Sequence, residues 1–303
     1  MPAAVPVTRP IVAGIVTALV GFTSSFAVVL TGLDAVGASA AQAASGLLAV
    51  SLAMGLACIV LAWRYRMPIT AAWSTPGAAL LVATGSVEGG WPAAVGAFLV
   101  TASLILLTTL WPALGALIAR IPPSIAQAML AGVLLPLCLA PITGIVANPW
   151  GVLPVVLTWL VFARLAPRWA VPLAFAAAAA VVAVSLVSAG TPVDPAVLLP
   201  RFELTMPAFT VGALVGIALP LFIVTMASQN VPGIAIMRSF GYEVPWRPAM
   251  LVTGLGTALG APAGGHAINL AAISAALAAS PDADPDPARR WLAGVSTGAS
   301  YLV

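Results

Sequence analysis

Charged and metal-binding residues are scarce in this sequence. Asp, Glu, Lys and Arg make up 6% of the 303 residues, whereas a soluble domain carries about 25%. Lysine is absent, so all eleven basic residues are arginines. The only histidine is His266, and the two cysteines, Cys58 and Cys138, lie in separate apolar runs. This inventory argues against a zinc site and a disulfide, and it favours cysteines that simply pack in the core.

Nucleotide-binding motifs are missing as well. The sequence has neither a Walker loop nor a dinucleotide fingerprint. Its arginines are dispersed, which does not make a nucleic-acid-binding face. We therefore expect no metal, no cofactor and no nucleic-acid partner.

Apolar residues dominate instead and account for 62% of the chain. Runs of about 18 or more apolar residues recur along the whole length, which is typical of helices that cross a bilayer. We predict an all-α polytopic membrane protein that is embedded in lipid. The predicted spans are 11–33, 41–63, 69–87, 91–118, 124–147, 150–165, 169–190, 207–237, 247–262, 264–279 and an eleventh that begins near 290.

The distribution of arginine indicates the orientation of the chain. With the N-terminus in the cytoplasm, ten of the eleven arginines fall in inward-facing loops, as the positive-inside rule predicts, and only Arg201 lies outside. One inner loop, SPDADPDPARR at 280–290, is interpreted as a solvated linker. The inward arginines are Arg9, Arg64, Arg66, Arg120, Arg164, Arg168, Arg238, Arg247, Arg289 and Arg290.

The third and tenth predicted spans, 69–87 and 264–279, do not read as continuous helices. Each begins with a stretch interrupted by proline or glycine, near 69–73 and 261–265, and is predicted to turn helical halfway. Non-helical backbone at membrane depth survives only where it is buried or lines a cavity. Interrupted segments at matching places in two halves are the best sequence pointer to the substrate site of a transporter.

Local signals predict where the two half-helices start. Ser74 or Thr75 is a good N-cap, and Pro76 is a good first helical residue. The Gly264–Gly265 pair lets the chain turn and brings bare N–H groups towards a ligand. We expect the second half-helix to start at His266.

The order of a long span, a second span and an interrupted span occurs twice, in 11–87 and in 207–279. We predict a seven-plus-seven inverted repeat, because an odd number of spans places the second copy upside down. We expect the chain as given to end inside span 11, and these residues alone not to transport.

Two half-helix starts that face each other would attract an anion without a buried cation, because each presents unpaired N–H groups and partial positive charge. Trp73 offers a flat ring for an aromatic ligand. His266 can titrate near neutral pH, which makes it the candidate for proton coupling. Gln229 and Asn230 precede an expected helix break at Pro232–Gly233 and could bond a carboxylate or the backbone of the pocket. The second-tier candidates are Ser24, Ser25, Asn269 and, as an alternative proton carrier, Asp34.

Each of these side chains also has a purely structural interpretation. A lone histidine in a helix bundle can be neutral and bonded to a neighbouring amide or carbonyl. Trp73 can be packing, and Gln229 and Asn230 can join helices. The sequence leaves both interpretations open.

Three strings resemble the benzoate:proton symporter family of bacterial inner membranes, namely ITAAWSTPGAALL (69–81), TMASQNVPGIAIMRSFGY (225–242) and GGHAINLAAISAA (264–276). The resemblance runs from about residue 10 to the end of the chain. It implies uptake of benzoate with protons, and kinship with uracil and xanthine permeases and sulfate transporters. Those proteins have seven-plus-seven inverted segments divided into core and gate domains. The resemblance thus implies that residues 1–120 form spans 1–4 of a core domain, 121–203 spans 5–7 of a gate domain, and 204–303 the second, incomplete core repeat with spans 8–11.

The resemblance also implies where the substrate binds, between the third and tenth spans and against the eighth. Unlike uracil permeases, this sequence has no acidic residue in the eighth and tenth spans, so an embedded carboxylate of that kind cannot carry the proton. The expected partners are a small aromatic carboxylate and protons, and a homodimer is compatible with the resemblance. Carried over, the substrate-binding residues are Trp73, Ser74, Thr75, Gln229, Asn230, Gly265 and His266.

Other functions stay open at this point. A transporter of the same fold could carry a nucleobase, although a nucleobase usually requires a carboxylate to accept its N–H groups. An inorganic anion would not need Trp73. An anion channel could also use half-helix dipoles. An intramembrane enzyme is disfavoured, because it would need a nucleophile with a base or a metal pair.

Overall fold

A computed structural model of the chain describes residues 8–111, 114, 117, 123–190 and 199–303. The predicted inner Arg120 lies outside these residues, and so does most of 112–122. In chain order the elements are α1 (Thr8–Thr23), α2 (Phe26–Ala35), α3 (Ala40–Tyr65), β1 (Ala71–Trp73), α4 (Thr75–Thr84), α5 (Gly90–Leu110), α6 (Pro123–Ala147), α7 (Pro149–Leu165), α8 (Pro167–Ser188), α9 (Val211–Ser239), α10 (Trp246–Gly260), β2 (Ile268–Leu270), α11 (Ile273–Ala279) and α12 (Trp291–Tyr301).

Within these ranges, five helical segments are long and apolar enough to cross a membrane. They are Thr8–Ala35, which joins α1 and α2, the Trp169–Ser188 part of α8, and the whole of α3, α5 and α9. The prediction of an α-helical polytopic membrane protein is confirmed. Among the other predicted spans, α4 with 10 residues and α10 with 15 are too short to cross a bilayer as single helices, whereas α6 has 25 residues.

The first predicted span is broken near its middle, which we did not predict. Helix α1 ends at Thr23 and α2 begins at Phe26. The hydroxyl groups of Thr23 and Ser24 donate to carbonyl oxygens of the preceding turn, at 2.6 and 3.1 Å. Such bonds compete with the helical ladder and bend helices. The break leaves Ser25 just ahead of α2, where its side chain reaches the third span.

Helix α9 runs through the expected break at Pro232–Gly233 without interruption, so that prediction is wrong. Two stretches of α9 are π-helical instead, Leu214–Ala218 and Met226–Asn230. The second lies directly before Pro232, where a wider turn accommodates a ring that has no N–H to donate. Single π-helical turns occur often at functional sites, and this one carries two of the predicted site residues.

The predicted interruption of the third span is confirmed, since β1 leads into the short helix α4. In the tenth span the interruption lies elsewhere than predicted. Residues Ala261–Ala263 form a 3₁₀ turn, the extended stretch is Ile268–Leu270, and α11 begins only at Ile273. The expectation that this half-helix starts at His266 is therefore wrong.

The two extended stretches pair with each other as antiparallel strands. Ala71 lies opposite Leu270, and Trp73 lies opposite Ile268. This pairing satisfies main-chain groups that would otherwise be unbonded at membrane depth. The chain must therefore stay extended beyond His266 until the pairing with β1 is complete, and only then can α11 begin.

Burial is concentrated in α2–α5, the interrupted segments and α9. Leu33, Phe98 and Leu221 are among the large side chains that are fully buried there. In contrast, α7 has no buried residue, and the buried side chain described in α8 is Ala170. Cys58 is buried in the core as expected, whereas Cys138 on α6 is exposed, which corrects the expectation for that residue.

The loop 280–290 is not a solvated linker. Asp284 is fully buried and Arg290 is 6% exposed. The Arg290 guanidinium donates to the carbonyl oxygen of Ala279 at 2.9 Å, which places a cation at the C-terminal end of α11. The Tyr242 hydroxyl donates to Pro287 O at 2.9 Å, and burial raises the pKa of this phenol, so it keeps the hydrogen that it donates.

Candidate functional site

A cavity of about 310 Å³ lies where the two interrupted segments meet the first span. Its wall is formed by α1, by the starts of α4 and α11, by the π-helical part of α9 and by the end of α12. This volume falls at the lower end of the range for small-molecule sites, about 300–1,000 Å³. A larger groove of about 890 Å³ lies on the other side of α1 and is lined mainly by apolar side chains. Only the smaller of these two cavities touches both half-helix starts.

The first half-helix is capped as the sequence predicts. Ser74 is the N-cap of α4, and its Oγ accepts a hydrogen bond from Gly77 N at 3.1 Å. Ser74 Oγ also lies 2.7 Å from Thr225 Oγ1, which connects the cap to α9. Pro76 stands in the first turn, as expected. Ser74 itself is fully buried and does not line the cavity.

Trp73 and Thr75 both line the cavity, on either side of that cap. Trp73 Nε1 donates to Ser25 Oγ at 2.9 Å, and Thr75 Oγ1 donates to the same oxygen at 3.2 Å. The Trp73 ring also meets Phe22 edge-on, with 5.2 Å between the ring centroids. Trp73 is thus held by the hydrogen bond from its indole N–H to Ser25 and by the packing of the Phe22 ring against the indole.

The two amides of α9 have different surroundings. Gln229 lines the cavity. Asn230 is fully buried, its Oδ1 accepts from Leu270 N at 2.8 Å, and its Nδ2 donates to Met226 Sδ at 3.1 Å. Asn230 therefore ties α9 to the β2 backbone, in agreement with its structural interpretation, and it does not face the cavity.

His266 is fully buried and does not line the cavity. Its Nε2 lies 3.1 Å from the main-chain oxygen of Ser74. Because a carbonyl can only accept, Nε2 carries the hydrogen and Nδ1 is bare in the neutral ring. Nδ1 has no hydrogen-bond partner among the described residues. His266 therefore contacts Ser74, the residue that caps α4, and does not line the cavity.

The glycines before His266 serve the turn and do not point their N–H groups at a ligand, contrary to expectation. Gly264 N donates to Ala261 O at 2.8 Å, and Gly265 N donates to Gly260 O at 2.9 Å. Gly265 does not line the cavity. A ligand in this cavity therefore has no access to either N–H group.

Of the four second-tier residues, two line the cavity and two do not. Ser24 and Ser25 line the cavity. Asn269 is fully buried in β2, and its Oδ1 has no partner in the part of the chain that is described. Asp34 is exposed at the end of α2 and lies away from the cavity.

Several residues that line the cavity were not predicted from the sequence. Thr17, Gly21, Ser274 and Tyr301 all contribute to the wall. Ser274 follows the start of α11, which carries no side-chain cap, so the misplaced helix start concealed it. Gly21 and Thr17 lie one and two turns before Ser25, on one face of α1, a helical spacing that could have identified them.

The cavity lining carries no charged side chain. Hydroxyl groups, an amide and the indole provide its polarity, and none of the described residues around it is Asp, Glu, Lys, Arg or His. Any charge on a ligand must be balanced by the main-chain dipoles at the helix starts and by hydroxyl groups.

A small cavity between two interrupted helices, inside a bundle of membrane-crossing helices, is the arrangement of a membrane transport protein. The comparison with known families agrees. The model of the benzoate membrane transport protein (BenE) family matches residues 5–303, and the chain belongs to this family.

Two relatives extend the comparison. The chain is 39% identical over 293 residues to the inner membrane protein YdcO of Escherichia coli, which covers 97% of this chain and 74% of that protein. It is 28% identical over 292 residues to the benzoate membrane transport protein of Acinetobacter baylyi, which covers 96% of this chain and 73% of that protein.

Proposed function

We propose that this protein imports benzoate or a similar aromatic carboxylate together with protons across a bacterial inner membrane. Membership of the family and the name of the Acinetobacter baylyi relative support the substrate class. Residues 1–120 and 204–303 would form the two repeats of the core domain and residues 121–203 the gate domain, with the N-terminus in the cytoplasm. The interrupted segments would be the substrate-binding part.

The observation that carries this proposal is the shared cavity at the starts of α4 and α11 with Trp73 on its wall. The aromatic ring of the substrate would lie against Trp73, and its carboxylate would lie between the two helix starts. Each dipole contributes about 0.3–1 kcal/mol to binding an anion, whereas a buried arginine would bind it more tightly and release it less readily. A nucleobase fits less well, because no carboxylate of the described residues lines the cavity to accept its N–H groups.

Proton coupling is proposed at His266, acting through Ser74. The bare Nδ1 is where a second proton would bind, and it is buried without a partner among the residues that the structure describes. Nε2 holds the Ser74 carbonyl, which also accepts Ala78 N at 2.8 Å in the first turn of α4. A charged imidazolium would compete for that carbonyl, so it would alter the start of the helix that binds the anion. Binding of the proton and of benzoate would then be linked, and the linkage is reciprocal.

The test of transport is uptake of labelled benzoate by the full-length protein in proteoliposomes, with and without an imposed pH gradient. We expect saturable accumulation only with the gradient, inhibited by excess unlabelled benzoate and not by uracil or sulfate. Inhibition by uracil or sulfate instead would indicate a different substrate. Flux that never exceeds equilibrium under a gradient would indicate a channel.

The test of coupling compares His266→Gln with Asp34→Asn. The first should retain part of the benzoate exchange but lose accumulation driven by a pH gradient. The second should leave both unchanged, because Asp34 is exposed and far from the cavity wall. If His266→Gln still concentrates benzoate with a normal pH profile, the proton is carried elsewhere.

A further inference from the structure

We propose that Ser25 is a positioning residue that fixes the plane of Trp73 and the hydroxyl of Thr75, and thereby makes the cavity selective for flat aromatic rings. This inference rests on the proposed function, because it concerns how the same cavity distinguishes its ligands. The break between α1 and α2 in the first span would then contribute to recognition of the ligand.

The Ser25 hydroxyl is the meeting point of three polar groups. It accepts from Trp73 Nε1 at 2.9 Å and from Thr75 Oγ1 at 3.2 Å, and its own hydrogen is directed to Gly21 O at 3.4 Å. A hydroxyl group offers two acceptor positions and one donor. All three are used here, so Ser25 is held by its own helix while it holds two residues of the third span.

These contacts limit how Trp73 can move. Rotation of the indole would break the bond to Ser25, which is 9% exposed and thus largely shielded from water that could replace it. Phe22 packs against the ring edge-on, with its plane at 63° to the indole plane. The ring, which is 2% exposed, is thus a fixed part of the cavity wall, and a ligand loses little binding energy in ordering it.

The contacts also define what Thr75 can offer. Its hydroxyl hydrogen is engaged by Ser25, so its oxygen remains as an acceptor at the start of α4. Discrimination between ligands therefore depends on Trp73, which Ser25 orients, and on the helix starts, of which Ser25 contacts that of α4. Without the break between α1 and α2, Ser25 would be one more residue inside a helix.

Thr31 on α2 provides a control outside the cavity. It does not line the cavity, and its exposed hydroxyl donates to Ala27 O at 2.8 Å within its own helix. Thr31→Val therefore removes a hydroxyl from the same pair of helices without releasing Trp73 or Thr75.

The experiment measures binding of benzoate and of cyclohexanecarboxylate, its non-planar counterpart, to the purified protein. Ser25→Ala should weaken benzoate binding about threefold to tenfold, the effect of one lost buried hydrogen bond, and should lower the preference for benzoate over cyclohexanecarboxylate. Thr31→Val should change neither by more than about twofold. Equal effects of the two substitutions, or an equal loss for both ligands in Ser25→Ala, would overturn the inference.

A second approach breaks the same bond from its other end. Trp73→Phe keeps a ring but has no N–H, so it should lower the preference for benzoate as Ser25→Ala does. In the Trp73→Phe background, Ser25→Ala should add less than about twofold, because the contact is already lost. Full additivity would contradict the inference. If the unmodified protein does not bind benzoate at all, the proposed function fails, which these comparisons distinguish from failure of the role of Ser25.

Discussion

Replacement of Gly264 by alanine tests the turn that leads into β2. Gly264 has φ +93°, in the left-handed region. A Cβ atom at this position would lie 2.9 Å from Trp91 Cζ2 and 3.2 Å from Gly46 Cα. The Trp91 ring cannot easily move aside, because it is 5% exposed and its Nε1 donates to Thr205 Oγ1 at 2.9 Å.

Two separate costs are therefore expected for Gly264→Ala. The left-handed conformation costs an L-residue about 1–2 kcal/mol, and overpacking costs about 1–3 kcal/mol. Together they should destabilise the protein by about 2–5 kcal/mol. Gly241 separates the two effects, because it has φ +84° and an added Cβ would meet nothing within 4 Å. Gly241→Ala should cost only the conformational part, about 1–2 kcal/mol.

Cys58 provides a natural reporter for this measurement. Its side chain is fully buried, and Ala71 N donates to its Sγ at 3.0 Å, so a thiol-reactive dye reaches it only when the core opens. The exposed Cys138 is replaced by serine in every variant. Thermal labelling curves should show a clearly lower midpoint for Gly264→Ala than for Gly241→Ala. Equal midpoints would refute the steric part of the reasoning.

Three further substitutions and one control, Arg238→Met, test other parts of the structure. Trp73→Leu should weaken benzoate binding up to about tenfold, because it removes an aromatic surface worth about 0.5–1.5 kcal/mol beyond its area; unchanged affinity in a binding titration would count against the site. Asn230→Ala should destabilise the protein by about 1–3 kcal/mol, since it leaves Leu270 N buried without its acceptor, and an unaltered labelling midpoint would contradict this. Arg290→Met should lower the labelling midpoint strongly, because the guanidinium is buried against three carbonyl oxygens. Arg238→Met should change the free energy of unfolding by no more than about 0.5 kcal/mol, because the ion pair of Arg238 is exposed. Similar midpoints for the two arginine variants would show that the loop is not held by buried polar contacts.

The sequence by itself was sufficient for the class of protein and for the position of the first interrupted segment. Long apolar runs and scarce charge identify membrane helices because hydropathy is a local property of about 20 residues. The Ser74 cap of α4 was equally predictable, since a capping side chain and the amide that it binds lie three residues apart. For the same reason Trp73 and Thr75 could be placed beside a helix start.

Tertiary structure decided the features that depend on partners distant in the chain. His266 precedes a strand rather than a helix because β2 must pair with β1, and its ring bonds a residue 192 positions away. Ser25 reaches Trp73 across 48 positions. Asp284 and Arg290 look like solvated charges in the sequence, yet the fold buries both: the Arg290 guanidinium donates to the main-chain oxygen of Asp284, and Asp286 N donates to the Asp284 carboxylate. No local pattern encodes such contacts, because the hydrogen bonds that stabilise them form only after the helices have packed.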